Sequence, residues 1–178
     1  MHRSLPHPHI RRIQIMNNII LTGLPASGKS TAGVILAKVT GRAFVDTDLI
    51  IQEREKALLP QIISERGTDA FLRCEEGALL SVNVTDTVIA TGGSAVYSKK
   101  GMEHLSEGGK IVFLNVPEEV ILTRLHDIRG RGVVLRDGQT LHQMIEERTA
   151  LYRRYADITI DESGLTIEQT VDRILSLI

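Results

Sequence analysis

One segment, GLPASGKS at residues 23–30, constrains the fold of this chain more than any other. A short apolar stretch at residues 19–22 precedes it, and residues 29–39 follow with a helical pattern that Gly41 ends. A G-x-x-x-x-G-K-[ST] motif between a strand and a helix is typical of a loop that binds nucleotide phosphates through backbone N–H groups and the helix N-terminus. The residues expected to contact the nucleotide are Gly23, Ala26, Ser27, Gly28, Lys29, Ser30 and Thr31.

Strands and helices are predicted to alternate along the rest of the chain. Short apolar strands are predicted at residues 19–22, 43–45, 87–91, 110–116 and 157–160. Helices are predicted at residues 29–39, 49–56, 68–81, 117–125, 140–155 and 166–178. This alternation predicts an α/β fold, a three-layer sandwich whose central five-stranded parallel sheet has helices on both faces. We expect one domain at residues 17–178 with a mobile lid at about 126–138, and a disordered N-terminal extension at residues 1–16.

Composition excludes several classes of protein. The formal net charge is -1, aromatic residues make up 3% of the chain, and Trp is absent, so we expect no nucleic-acid partner. No apolar run reaches the roughly 18 residues that a membrane span needs, and residues 1–15 lack the apolar core of a signal peptide. The single Cys74 suits a reducing compartment, so we expect a cytoplasmic protein, and we take it to be a monomer. The sequence leaves open whether translation starts at Met1 or at Met16.

Asp46 and Asp48 are the carboxylates best placed beside the phosphate loop. The chain has no Asn-Lys-x-Asp motif for guanine, and its third and fourth predicted strands do not end in the acidic residues of a motor ATPase. On an extended segment, two residues spaced by two point the same way. One of them could then help to hold Mg²⁺ through water, beside the Ser30 hydroxyl, while the other orients and deprotonates an acceptor hydroxyl. A helix N-cap before Leu49 would explain one of the two carboxylates. These features predict an ATP-dependent small-molecule kinase.

Arg148 is the one charge in an apolar stripe on the predicted helix at residues 140–155. The other members of the stripe are Leu141, Met144, Ile145, Tyr152 and Tyr155. A buried guanidinium needs a partner, because an unpaired charge in a core is very costly. The residues alone leave two partners open, a structural ion pair with Glu75 or the carboxylate of a ligand.

Taken together, these motifs resemble the shikimate kinase family of nucleoside-monophosphate-kinase-like folds. The resemblance covers nearly all of residues 17–178 and depends on motifs in matching order and spacing. These are the phosphate loop, DTD at 46–48, Phe71 with Glu75, ATGG at 90–93, an arginine-bearing lid, and ER at 147–148 ahead of LYRR at 151–154. The resemblance implies transfer of a phosphoryl group from MgATP to shikimate. The product would be shikimate 3-phosphate, an intermediate of aromatic amino acid biosynthesis.

On the nucleotide side, the resemblance assigns roles to three residues, Asp46, Arg124 and Arg131. Asp46 matches the family's Mg²⁺-associated aspartate, which makes Ser30 and Asp46 the expected metal ligands. Arg124 matches an arginine that packs over the adenine. Arg131 matches a lid arginine that reaches phosphate and substrate, and with Lys29 it would neutralise charge on the transferring phosphoryl group.

On the acceptor side, Asp48 matches the aspartate that binds a shikimate hydroxyl and is proposed as the base. Gly92 and Gly93 match the first two of three glycines whose backbone contacts the substrate. Arg148 matches an arginine that clamps the substrate carboxylate, which favours the ligand over the ion pair. The implied catalytic residues are Lys29, Asp48 and Arg131.

Three positions depart from the family pattern. Leu72 stands where the family has an arginine that helps bind the substrate carboxylate, and Arg73 lies about 100° further around the helix. Ser94 replaces the third glycine, and Gly132 replaces the proline after the lid arginine. Losing one charge-assisted contact costs about 1.5–3 kcal/mol, or roughly one to two decades in affinity. Two alternatives therefore stay open, a same-fold kinase for a different small polyol or hydroxy acid, and a nucleotide-binding regulatory protein without transfer activity.

Overall fold

A computed structural model describes residues 17–127 and 133–178 of the chain. Its strands form a single five-stranded sheet in the order β2-β3-β1-β4-β5, and every pair of neighbours is parallel. The strands are β1 (Asn18–Thr22), β2 (Ala43–Asp46), β3 (Thr87–Ala90), β4 (Gly109–Asn115) and β5 (Ile158–Asp161). The predicted five-stranded parallel sheet is therefore confirmed, whereas the predicted N-terminal extension and Arg131 lie outside the described residues.

Eight α-helices lie in the described ranges. They are α1 (Lys29–Thr40), α2 (Thr47–Glu55), α3 (Leu59–Arg66), α4 (Thr68–Ser81), α5 (Lys99–Gly108), α6 (Glu118–Asp127), α7 (Leu141–Tyr155) and α8 (Ile167–Leu175). Six of them match predicted helices, while α3 and α5 were not predicted. A short 3₁₀ turn, Ala95–Tyr97, follows β3. In these two ranges of the chain, no helix has the length and apolar character needed to cross a membrane.

Successive residues of each central strand point to opposite faces of the sheet and enter two different cores. On β1, Ile20 packs into one buried cluster, whereas Ile19 and Leu21 pack into the other. On β4, Phe113 and Leu114 divide in the same way. Because both faces are covered, the strands read as continuous apolar runs rather than alternating ones, as in other buried parallel sheets.

A third apolar cluster lies beside the sheet and joins α2, α3 and α4. Its buried members are Ile51, Ile62, Phe71, Ala78 and Val134. Val134 comes from the C-terminal part of the predicted lid region and packs against buried residues of α2, α3 and α4. The cluster forms one wall of the cavity described below.

The sheet order places the functional loops at one edge. Strand β1 lies between β3 and β4, so the chain leaves β1 at the point where the strand order reverses. In open α/β sheets, ligands bind in the crevice outside the carboxyl ends of the strands at such a point. Residues 23–30, the ends of β2 and β3, and the start of α2 all meet there.

Candidate active site

The loop between β1 and α1 has the backbone geometry of a phosphate-binding loop. Gly28, the residue before α1, has a φ of 92°, and Ala26 has a φ of 64°, which is unusual for a residue with a side chain. A Cβ atom on Gly23 would lie within 3 Å of the Leu114 carbonyl oxygen and of Ser27 Oγ, so only glycine fits there. Strained backbone of this kind concentrates at ligand-binding sites, where the surrounding fold holds it in place.

Lys29 is buried and points into the loop that precedes it. Its ammonium donates hydrogen bonds to the carbonyl oxygens of Gly23 and Leu24, both at 2.8 Å, and to Ser27 Oγ at 3.3 Å. These contacts place a cation at the centre of the loop, beside the cavity that Lys29, Ser30 and Thr31 help to line.

Ser30 and Asp46 lie together, as predicted from their positions in the sequence. The Ser30 hydroxyl donates a hydrogen bond of 2.7 Å to Oδ2 of Asp46. A hydroxyl and a carboxylate beside a phosphate loop form the oxygen-rich ligand set that Mg²⁺ prefers when phosphates complete its coordination. The donor atoms that are present therefore fit this cation.

The backbone at residues 46–48 differs from the prediction that both aspartates lie on one extended segment. Helix α2 begins at Thr47, and Asp46 is its N-cap, accepting a 2.9 Å hydrogen bond from the Asp48 backbone N–H through Oδ1. The N-cap interpretation thus accounts for Asp46. Its Oδ1 caps the helix, and its Oδ2 accepts the hydrogen bond from Ser30. Asp48 lies in the first turn of α2 and faces the cavity.

A cavity of about 360 Å³ extends from the phosphate loop to α7. Its polar lining includes Lys29, Asp46, Asp48, Glu75 and Arg148. Its apolar lining comes from Leu49, Leu58, Leu59, Pro60, Phe71 and Val134 on and around the third cluster. The phosphate loop therefore shares one cavity with three of the predicted acceptor residues, Asp48, Gly93 and Arg148, whereas Gly92 does not line it.

Gly92 and Gly93 follow β3, and of the two Gly93 lines the cavity. The Gly92 N–H donates to Thr47 Oγ1 at 3.1 Å, which joins the end of β3 to the start of α2. The Gly93 carbonyl accepts hydrogen bonds from Arg148 and from the Tyr152 hydroxyl. A Cβ atom on Gly92 would come within 3 Å of both Glu75 Oε1 and Asp48 Oδ1, so the close approach of these carboxylates requires glycine.

Arg148 is only 1% exposed, yet within residues 17–127 and 133–178 it forms no hydrogen bond with a carboxylate. Its guanidinium donates to the Tyr97 hydroxyl at 3.3 Å, to the Gly93 carbonyl at 2.9 Å and to the Val134 carbonyl. The guanidinium carbon also lies 5.1 Å from the centre of the Tyr97 ring. Arg148 and Glu75 therefore do not form the hydrogen-bonded ion pair that the sequence left open. The positive charge of Arg148 lines the cavity and is hydrogen-bonded to neutral oxygens.

Glu75 is equally buried and is hydrogen-bonded to a residue that departs from the family pattern. Ser94 Oγ donates a 2.6 Å hydrogen bond to Glu75 Oε2, whereas Oε1 has no hydrogen-bond partner. Burial raises the pKa of the Glu75 carboxyl to about 7, opposed by the Ser94 hydrogen bond and reinforced by the nearby Asp48 charge. Leu72 packs beside the third cluster, and Arg73 is exposed outside the main cavity.

We expect Glu75→Gln to remove one component of the pH dependence of stability. The folded state keeps a proton on Glu75 up to a pH of about 7, whereas the unfolded chain loses it near the ordinary value of 4.5. The stability that this proton supplies is fully present below the unfolded-state pKa of 4.5. It is lost as pH rises through about 7, and amounts to roughly 3 kcal/mol. Urea unfolding of both proteins at about pH 5 and about pH 8 measures the difference. If the free energy of unfolding changes between the two pH values by the same amount in wild type and in Glu75→Gln, the raised pKa is contradicted.

Arg124, predicted to pack over the adenine, lies at the end of α6 beside the phosphate loop. Its guanidinium donates a 3.0 Å hydrogen bond to the Ala26 carbonyl, which places it over the loop. Tyr97 was not predicted, although it contacts Arg148, because its 3₁₀ turn has no periodic pattern. Glu75 could have been identified as a site residue by the argument used for Arg148, since it is the one charge among the buried positions of α4.

Comparisons with known proteins agree with this geometry. A sequence model of the shikimate kinase family matches residues 25–178. The shikimate kinase of Geobacter sulfurreducens is 35% identical over 164 residues, 90% of this chain and 90% of that protein. The shikimate kinase of Thermoanaerobacter pseudethanolicus is 31% identical over 163 residues, 90% of this chain and 95% of that protein.

Solved structures give the same result. The structure of shikimate kinase from Acinetobacter baumannii in complex with shikimate superimposes with a TM-score of 0.82 at 31% identity, covering 91% of this chain and 92% of that one. Shikimate kinase from Aquifex aeolicus superimposes with a TM-score of 0.76 at 32% identity, covering 89% of this chain and 94% of that one. The chain therefore belongs to the shikimate kinase family and is a small-molecule kinase.

Proposed function

We propose that this chain transfers the γ-phosphoryl group of ATP to a hydroxyl of shikimate, forming shikimate 3-phosphate. The observation that carries the proposal is the buried Arg148 guanidinium, which lines the cavity and whose hydrogen bonds within the described part of the chain all go to uncharged oxygens. A ligand carboxylate would supply the missing negative charge and bind the guanidinium bidentately. Asp48 and the phosphate loop line the same cavity, so an acid with hydroxyl groups fits between them.

In the proposed reaction, Asp48 orients the acceptor hydroxyl and accepts its proton as the oxygen attacks phosphorus. Lys29, at the centre of the loop, neutralises charge on the outer phosphates, and Arg131 would add a second cation from the lid. The adenine would lie against Arg124. Phosphoryl transfer needs little covalent help from the protein, so positioning and electrostatic stabilisation supply most of the rate enhancement.

Ser30 and Asp46 are the residues that would hold Mg²⁺, in keeping with their 2.7 Å contact and their place beside the loop. When bound there, the cation would neutralise negative charge that develops on the phosphates during transfer. We further propose that the enzyme acts as a cytoplasmic monomer. The single Cys74 suits a reducing compartment.

The proposal is tested by measuring ADP release from MgATP with shikimate, with its methyl ester, with other small hydroxy acids and without acceptor. We expect release to depend on shikimate, and the ester to have a KM at least about tenfold higher because it lacks the charge that Arg148 binds. A rate that is the same with and without every acceptor would overturn the kinase function. A preference for another acid would overturn the assignment of shikimate as the acceptor and leave the kinase function standing.

A further inference from the structure

The contact between Ser94 and Glu75 forms part of the acceptor side of the cavity. Both residues line the cavity, and both are buried, Glu75 at 1% and Ser94 at 4% exposure. Their 2.6 Å hydrogen bond joins α4 to the turn that follows β3. Ser94 stands at the place where the resemblance predicts a glycine, so this bond depends on a side chain that the family pattern does not include.

The hydrogen bond from Ser94 leaves the second oxygen of the carboxyl in a defined position. Oε2 is the atom that accepts from Ser94, and Oε1, although fully buried, has no hydrogen-bond partner among the residues that the structure describes. Buried polar atoms are almost always hydrogen-bonded, and an exception in a cavity wall points to a group that enters the cavity. Oε1 and Asp48 Oδ1 both lie within 3 Å of the point where a Cβ of Gly92 would be.

No other side chain described at this wall takes the place of Ser94. Arg148 directs its three hydrogen bonds to Tyr97, Gly93 and Val134. Leu72 has no polar group, and Arg73 is exposed. The orientation of the Glu75 carboxyl therefore depends on Ser94.

We propose that Ser94 and Glu75 form a specificity-determining pair that recognises a vicinal diol on the acceptor. Ser94 holds the carboxyl so that Oε1 bonds the hydroxyl next to the one that Asp48 orients. The inference rests on the proposed function and adds to it a requirement on the acceptor. The acceptor needs a carboxylate for Arg148, a hydroxyl for Asp48 and an adjacent hydroxyl for Glu75.

The protonation of Glu75 suits this role. Burial keeps its pKa near 7, so the carboxyl can donate as well as accept a hydrogen bond. The charged and titratable groups that act on it are Asp48, Arg148 and Lys29, together with the Tyr152 hydroxyl on α7. A hydroxyl of the acceptor, which also donates and accepts, matches such a carboxyl in either protonation state.

The test combines Ser94→Ala with an acceptor analogue, shikimate lacking the hydroxyl next to the phosphorylated one. With shikimate, we expect Ser94→Ala to raise the acceptor KM roughly 5- to 50-fold, with kcat and the KM for ATP within about threefold. With the analogue, wild type and variant should have the same KM, because the hydroxyl that Glu75 binds is gone. If Ser94→Ala raises both KM values equally, or raises neither, the inference fails while the kinase function stands. If wild type releases no ADP with shikimate, the proposed function fails and the inference fails with it.

Ser98 provides a matched control. Its hydroxyl donates to Glu76 Oε2 at 2.6 Å, again between the segment after β3 and α4, but neither residue lines the main cavity. Ser98→Ala should leave the acceptor KM unchanged, although it removes the cap of α5 and lowers the melting temperature.

Glu75→Gln provides a second variant, whose side chain has the same shape as that of wild type. Its amide can still accept from Ser94 and bond a hydroxyl, so its acceptor KM should stay within about fivefold of wild type. A loss equal to that of Ser94→Ala would show that Glu75 acts only through its charge and would overturn the diol assignment.

Discussion

Asp48→Asn is expected to lower kcat by about two to four orders of magnitude, with the KM for ATP nearly unchanged, because general-base catalysis supplies an effect of this size. An asparagine keeps the shape of the side chain and can still contact the acceptor, but it cannot take the hydroxyl proton. The fold should be unaffected. Helix α2 is capped by the Asp46 side chain, which bonds the Asp48 backbone N–H rather than its carboxylate. Steady-state ADP release at saturating shikimate and ATP measures the change in kcat.

Asp69 is a close structural control for this substitution. Thr68 and Asp69 open α4 as Thr47 and Asp48 open α2, so each aspartate is the second residue of its helix. Asp69 is exposed and does not line the cavity. Asp69→Asn should therefore leave kcat within about twofold of wild type. If Asp48→Asn also keeps kcat within about threefold, Asp48 is not the proton acceptor.

The phosphate loop could be predicted from the sequence because its function depends on local backbone. Residues 23–30 carry the glycines and the lysine in one continuous segment, and the flanking strand and helix fix where that segment lies. The meeting of Ser30 and Asp46 could also be predicted, because the carboxyl ends of parallel strands meet at one edge of a sheet.

The orientation of the two aspartates was predicted less well. The prediction ended the strand at residue 45 and placed Asp46 and Asp48 on an extended segment after it, whereas α2 begins at Thr47. The same Asp that marks a strand end is also a favoured N-cap, and the capping hydrogen bond determined the outcome. Helix α5 was missed because Gly101 and Gly108 weaken its helical pattern. Ser98 caps it and its buried face packs on the core, which tertiary structure alone reveals.

The hydrogen-bond partners of buried charges depend on contacts between distant elements. Arg148 and Glu75 can each be recognised as a charge in an apolar stripe, but the stripe does not say which elements face it. Tyr97 and Val134 reach Arg148 from the 3₁₀ turn and from the end of the predicted lid. Ser94 reaches Glu75 from 19 positions away in the sequence. The sequence therefore identified most of the charged groups of the site but not the contacts that orient them.

Arg148→Met is expected to raise the KM for shikimate by about two to three orders of magnitude, because it removes the cation proposed to bind the carboxylate. Loss of one partner from a buried, hydrogen-bonded charge pair costs about 2–5 kcal/mol. Methionine fills a similar volume and takes a charge out of the core, which offsets part of the stability lost with three hydrogen bonds. Expressed as a free energy, the change in KM should therefore be much larger than the change in the free energy of unfolding. ADP-release kinetics measure the first change, and urea unfolding measures the second.

The methyl ester of shikimate separates recognition of the carboxylate from general disruption of the cavity. Because the ester carries no charge, wild type and Arg148→Met should differ in their KM for it by less than about fivefold. Arg148→Lys keeps a charge but loses the planar fork of the guanidinium, so its KM for shikimate should lie between those of wild type and Arg148→Met. Arg153→Met, an exposed position on the same helix, should change neither KM. If Arg148→Met raises the KM for ester and acid equally, Arg148 supports the walls of the cavity through Gly93 and Val134, and another group must bind the carboxylate.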